Sequence, residues 1–242
     1  MASILLLGFL VGMRHALEAD HLAAVATLVA ERGSARRLAL RGAVWGAGHT
    51  LTLFVVAGVC LVVGGVVPAR LAWAAEVAVG VMLVALGLDV LRRLRRGGVH
   101  LHVHQHADGS LHLHAHAHPP DGRSGDVGTP KHAVHHHRHE RNFLQRALAV
   151  GMVHGLAGSA ALLLLALPIG GSPWRVLAYV GCFGLGSVLG MALLSAVIAV
   201  PLNASAKLLA GAHRALLVAV GLASTAVGLW VLYGLRHGAG GP

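Results

Sequence analysis

Within eight consecutive positions near the start of the chain stand Arg14, His15, Glu18, Asp20 and His21, and apolar runs flank them on both sides. Two more histidines lie inside apolar runs. His49 sits in Gly46-Ala47-Gly48-His49-Thr50, and His154 sits in Gly151-Met152-Val153-His154-Gly155, with Ser159 following. Neutral imidazole combined with carboxylate is a ligand set suited to borderline divalent ions such as nickel, cobalt and zinc. Cys60 and Cys182 fall in separate apolar runs without neighbouring ligand types and read as small packing residues. The carboxylates are too few for a calcium or magnesium cage.

Spacing constrains how these groups can meet. At about 100° per residue, His15 and Asp20 lie roughly 140° apart around a regular helix and do not converge. Either the helix unwinds over Arg14–His21 or the ligands serve different shells, and unwinding is the reading adopted. Plainer roles fit some of the other groups. His154 alone reads equally as a helix-bridging hydrogen-bonder, Arg14 as the i,i+4 partner of Glu18, and Glu76 and Asp89 as interfacial residues. His15, Asp20 and His21 together, at membrane depth, point to a site, because ionisable groups are expensive there.

The elements that carry these residues are membrane spans. Of 242 residues, 56% are apolar, only 12% are charged and 33 are glycine. Soluble domains carry about 25% charged residues, so an ordinary globular enzyme is excluded. A net charge of +10 would normally raise nucleic acid, but much of that charge brackets apolar runs. A crossing needs roughly 20 predominantly apolar residues. Six segments qualify, at about Ile4–Ala30, Leu40–Val67, Leu71–Leu91, Ala147–Leu167, Val176–Val200 and Leu208–Leu235. The first lacks a charged leader and a small-residue cleavage site, so it reads as a span and not a signal peptide. It is interrupted, since neither Ile4–Met13 nor Leu22–Ala30 is long enough to cross alone. Gly8/Gly12, Gly42/Gly46 and Gly186/Gly190 have the spacing that lets helices approach closely in lipid.

Fifteen of the 19 Lys and Arg lie in the connections after spans one, three and five, against Arg70, Arg175 and Arg236 on the other side. The positive-inside rule makes the first side cytoplasmic. Both termini are then expected outside, with the long central loop inside the cell membrane.

Self-comparison exposes a repeat. Val11-Gly12-Met13-Arg14-His15-Ala16-Leu17 matches Val150-Gly151-Met152-Val153-His154-Gly155-Leu156, and Trp45-Gly46-Ala47-Gly48 matches Phe183-Gly184-Leu185-Gly186. The stretch from Ala78 to Leu91 matches Ala219 to Leu232 in the same way. The offsets are 139, 138 and 141. Three spans per copy is an odd number, so the second copy enters the membrane from the opposite face. The expected fold is therefore all-α, with six transmembrane helices as two inverted three-helix repeats, residues 1–96 and 142–242. Such repeats recur in secondary transporters, with broken helices around a midplane site.

Between the repeats, residues 97–141 hold 13 of the 19 histidines. His100, His102, His104 and His106 form one period-two run, and His112, His114, His116 and His118 form another, each followed by Asp-Gly. Period two puts the imidazoles of a run on one face of an extended chain, roughly 6.6 Å apart. A hairpin turning at Ala107–Leu111 would set His106 opposite His112 and His104 opposite His114, a weak multi-ion ladder. A mobile low-complexity tract is the other reading. His132 and His135–His137 form a further cluster.

The motifs resemble a known family. Arg14 followed by His15-Ala16-Leu17-Glu18-Ala19-Asp20-His21 looks like the RHA-x-D-A-D-H signature of the nickel/cobalt transporter (NiCoT/NicO) family. Gly48-His49-Thr50 is similar to its second motif, and His154-Gly155-Leu156-Ala157-Gly158-Ser159 resembles the urease-accessory H-type nickel permease branch. The resemblance covers all six spans. It implies transport of Ni²⁺ or Co²⁺, with His15, Asp20, His21 and His49 as ligands.

The expectation is thus a membrane carrier and not an enzyme. His15, Asp20, His21 and His49 bind the transported ion, which is a substrate and not a cofactor, and His154 closes the site from the other repeat. Glu18 and the loop histidines are secondary ligands. A cytoplasmic metallochaperone such as a urease or hydrogenase maturation protein is a natural recipient. Three rivals stand beside this reading: a small-anion (sulfite-like) exporter using Arg14 and helix N-termini, a membrane metal sensor or delivery protein, and a di-iron oxygenase built on His132 and His135–His137.

Overall fold

The computed structural model describes residues 2–30, 33–96, 100–105, 111–116, 136–166, 172–208 and 210–237. The described chain runs α1 (Ala2–His15), α2 (Ala19–Val29), α3 (Ala35–Val63), α4 (Ala69–Arg96), β1 (His100–Gln105), β2 (Leu111–His116), α5 (His136–Ala166), α6 (Pro173–Leu208) and α7 (Ala210–His237).

Local chemistry sets the helix ends. The Ser34 hydroxyl accepts from the Arg37 N–H at the start of α3, filling one of the donors that a first turn leaves open. At the other end Gly64 adopts φ 69°, and its N–H, like that of Gly65, returns to the Cys60 carbonyl. That left-handed stop suits glycine. The Pro68 carbonyl then accepts from Leu71 and Ala72 to open α4.

Burial is inverted relative to a water-soluble protein. Val62 is 88% exposed and Trp230 71% exposed, while His21, His49, His154, Ser187 and Ser224 are buried. An apolar exterior on long helices whose backbone bonds close internally is what a bilayer requires. Ala35–Val63, Ala69–Arg95, Pro173–Ala206 and Gly211–His237 are each long and apolar enough to cross, and α1 with α2 forms a further span bent by 61°. The molecule is an all-α membrane protein. Against the six expected spans, these make five. The remaining expected segment lies in the second half of α5, whose first half is a polar His/Arg run and whose predicted end, Leu167, lies outside the described residues.

Packing couples the two halves of the chain. Helix α3 lies against α5 and α6, α1 against α6, and α4 against α7. Glycines permit the closest of these contacts. A Cβ on Gly12 would stand 2.8 Å from the Phe183 carbonyl carbon, and one on Gly151 would stand 2.9 Å from that of Trp45. Likewise Gly80 faces Leu232 and the Gly228 carbonyl, while Gly221 faces Leu91 and the Gly87 carbonyl. The first two contacts are counterparts under the self-comparison, and so are the last two, because Gly12 matches Gly151, Trp45 matches Phe183, Gly80 matches Gly221 and Leu91 matches Leu232. Polar groups add ties between the halves: Ser187 donates to the Gly12 carbonyl at 3.2 Å and Ser224 to the Leu83 carbonyl at 3.0 Å. Arg146 of α5 meets Asp89 of α4 at 2.9 Å, and Arg93 joins the same carboxylate at 2.8 Å.

The hairpin register corrects an expectation. β1 and β2 pair antiparallel with His100 opposite His116, His102 opposite His114, and His104 opposite His112. His104 was expected opposite His114. Leu111 joins the ladder opposite Gln105. A slip of two residues preserves the pleat, so histidine still faces histidine across the pair. His106 and His118 lie outside the described residues, as do His132 and His135.

Candidate metal centre

Helix α1 ends at His15 because the chain tightens there. The N–H groups of Leu17 and Glu18 bond back three residues, to Arg14 at 2.9 Å and His15 at 3.0 Å, and α2 starts at Ala19. The break spans Ala16–Glu18 and not the whole of Arg14–His21 as expected. Three residues are enough, because the 61° bend turns His15 and the first turn of α2 toward one another. Glu18 holds the cap position of α2 but makes no side-chain cap. Its carboxylate instead meets His15 Nδ1 at 3.1 Å, in place of the expected pairing with Arg14.

Asp20, in the first turn of α2, uses both oxygens. Oδ1 accepts from the His21 backbone N–H and faces His21 Nδ1, both at 2.9 Å. Oδ2 lies 2.9 Å from Nε2 of His154, which α5 supplies from the other half of the chain. An ionised carboxylate only accepts, so the proton of His21 sits on Nδ1 and that of His154 on Nε2. Their other ring nitrogens, His21 Nε2 and His154 Nδ1, are buried without a hydrogen-bond partner among the described residues, as are both nitrogens of His49. His49, on α3, is 0% exposed. Its ring lies 5.3 Å from those of His15 and His21, and the His21 ring lies 4.3 Å from His15 and 4.2 Å from His154.

Two three-residue sets therefore have ligand atoms all within 4.8 Å of one another: His15, His21 and His49, and Asp20, His21 and His154. A buried polar group left unpaired costs about 1–3 kcal/mol. Several such nitrogens, gathered in one place with lone pairs to offer, form a cavity chemistry suited to a divalent ion. All five residues expected as ligands from sequence come together. Glu18 stands behind His15, in the position from which a carboxylate orients a ligating imidazole.

The walls were not foreseen. Trp45 packs edge-on against His21 and His154, each at 5.5 Å, and Phe183 lies 5.2 Å from His15. The signal was present, since Trp45 and Phe183 are matched positions of the self-comparison. Trp45 belongs to one buried apolar cluster and Phe183 to another, so the imidazoles sit where the two clusters meet. Gly158 of α5 completes the wall, its Cβ position 3.8 Å from His49 Cε1 and 3.9 Å from His15 Nε2.

A bent span, helices apolar on the outside and a largely buried imidazole–carboxylate cluster joining the two halves define a polytopic membrane protein with a ligand-rich interior. Over 235 residues, 97% of this chain and 92% of the relative, the sequence is 33% identical to the urease accessory protein UreH of Bacillus sp. (strain TB-90). The chain belongs to the UreH family of urease accessory proteins, the branch that its motifs resemble. That relative is named as an accessory to an enzyme, in keeping with a chain expected to do no catalysis itself. No family model matches the chain, and no solved structure matches it.

Proposed function

We propose that the protein is a carrier for divalent transition-metal ions, Ni²⁺ or Co²⁺, across the cell membrane. His15, Asp20, His21, His49 and His154 are the ligands of the transported ion, and Glu18 supports His15. The observation that carries this reading is the set of buried, unpartnered imidazole nitrogens at the break between α1 and α2. The cluster offers lone pairs and carboxylate oxygens, which attract a cation and repel an anion. A named accessory of urease, as the UreH relative is, fits a metal-supplying role.

The architecture that goes with this function is two inverted three-helix repeats, residues 1–96 and 142–242, around a site near the midplane. The matched glycine contacts between α1 and α6 and between α3 and α5 support it. The segment 97–141 is then a cytoplasmic loop whose histidines, including His100, His102, His104, His106, His112, His114, His116 and His118, bind metal secondarily. Both termini lie outside. From the loop side a metallochaperone of a urease or hydrogenase maturation system takes or delivers the ion.

Liposomes containing the purified protein and a metal-sensitive dye test the function. Ni²⁺ or Co²⁺ flux is expected above protein-free liposomes. His15→Ala and Asp20→Ala are expected to abolish it while the protein still elutes as a folded species. Wild-type flux by both variants, or flux of sulfite without metal, overturns the assignment.

A further inference from the structure

The cluster is larger than one ion needs, and its geometry divides it. His15, His21 and His49 form one compact set and Asp20, His21 and His154 another, and only His21 belongs to both. His49 and His154, whose rings are 6.1 Å apart, share no such set. Resting on the carrier reading above, we propose that the centre is two overlapping three-ligand subsites sharing His21, between which a single divalent ion is handed on its way across the membrane.

The two subsites are in different states in this conformation. In the first, the lone pairs are ready. Glu18 holds His15 Nδ1 at 3.1 Å and Asp20 holds His21 Nδ1 at 2.9 Å. Each carboxylate fixes a proton on Nδ1, so each Nε2 is left free to ligate. His21 Nε2 and both nitrogens of His49 are unpartnered. In the second, the hydrogen bonds from His21 Nδ1 and His154 Nε2 to Asp20 occupy the places an ion would take. An ion there replaces those bonds. Each imidazole then carries its single proton on its other nitrogen, the unpartnered His21 Nε2 or His154 Nδ1, and no proton is lost overall. His21 can serve both subsites because its two nitrogens face opposite ways.

Position assigns roles to the pair. The first subsite is built wholly from α1, α2 and α3 of the first half, and the second requires His154 from α5. Passing the ion across His21 thus exchanges a contact within one half for a contact that joins the halves, and breaks the Asp20–His154 bond that now links α2 to α5. Two divalent ions a few ångströms apart at a largely buried site repel strongly, so the subsites fill in turn and not together.

Co²⁺ binding to the full-length protein in lipid nanodiscs tests this, read as stoichiometry and as the optical d–d spectrum. The wild type is expected to hold one ion. His49→Ala and His154→Ala are each expected to keep one ion, with spectra that differ from one another, because each leaves the other subsite intact. Both variants should lose flux at least 10-fold. His21→Ala should lose the ion altogether. Gly158→Val is not a ligand change and fills the first subsite beside His49 and His15, so it should give the His49→Ala spectrum. Retained Co²⁺ certifies that a variant is folded. Loss of binding in both single His variants, with Gly158→Val eluting as a folded species without its ion, means one undivided site and overturns the handover while leaving the carrier standing. Two ions bound at once overturns it as well. A wild type that binds no Co²⁺ or Ni²⁺ removes the carrier reading itself.

Discussion

At the scale of single residues, the informative pattern is which nitrogen of each imidazole is occupied. Glu18 and Asp20 do more than add negative charge, because each fixes the ring orientation and tautomer of its histidine. An outer partner, the place proposed for Glu18, typically contributes about 10–100-fold to metal affinity or activity. Glu18→Gln keeps an acceptor for His15 and should reduce metal affinity by no more than about 10-fold, whereas Glu18→Ala should fall within that full range. Equilibrium Ni²⁺ titration of both variants checks the order, and equal affinities would show that Glu18 does not orient His15. Residue types near Arg14 disclosed that ionisable groups gather at one depth. They did not disclose that Glu18 would turn to His15 and leave Arg14, since that choice depends on where the chain bends.

At the scale of elements, helix contact rests on the absence of side chains at chosen points. Gly12 and Gly151 abut carbonyls of the facing helices, whereas Cβ atoms on Gly58 and Gly181 would meet nothing within 4 Å. Overpacking costs about 1–3 kcal/mol, while replacing an unconstrained helical glycine with alanine gains up to about 1 kcal/mol. Gly12→Ala and Gly151→Ala should therefore lower the thermal midpoint in detergent, and Gly58→Ala and Gly181→Ala should leave it unchanged or raise it. A uniform response of all four would refute the close-approach explanation. The small-residue spacing of Gly8 with Gly12 was visible in the sequence. The carbonyl that each glycine meets belongs to a residue more than 100 positions away in the chain, Phe183 for Gly12 and Trp45 for Gly151, so no local pattern contains it.

At the scale of the whole molecule, charge and burial assign complementary surfaces. The apolar exterior faces lipid, and in the proposed topology the positive-inside rule turns the basic connections toward the cytoplasm. Single cysteines introduced at Ser34 and Arg175, in the Cys60→Ala/Cys182→Ala background, should label from opposite sides of sealed vesicles with a membrane-impermeant maleimide. Labelling from the same side would overturn the opposed orientation of those connections. The loop is a separate question of partnership. Deleting residues 99–140 should leave ion binding at the intramembrane cluster intact and alter the metal-concentration dependence of flux. An unchanged flux curve would make the histidine tract incidental.

Composition and periodicity by themselves determined the environment, the helical class, the broken first span and the five clustered residues, because the cost of ionisable groups in lipid leaves few reasons to keep them. The tertiary structure alone decided the rest: that three residues suffice for the break, that Asp20 joins His21 to His154, that Trp45, Phe183 and Gly158 wall the cluster, and that the clustered residues fall into two sets. Those facts depend on ångström-scale distances between helices far apart in sequence. A one-dimensional pattern records which side chains are available, while packing decides which atoms of them face one another.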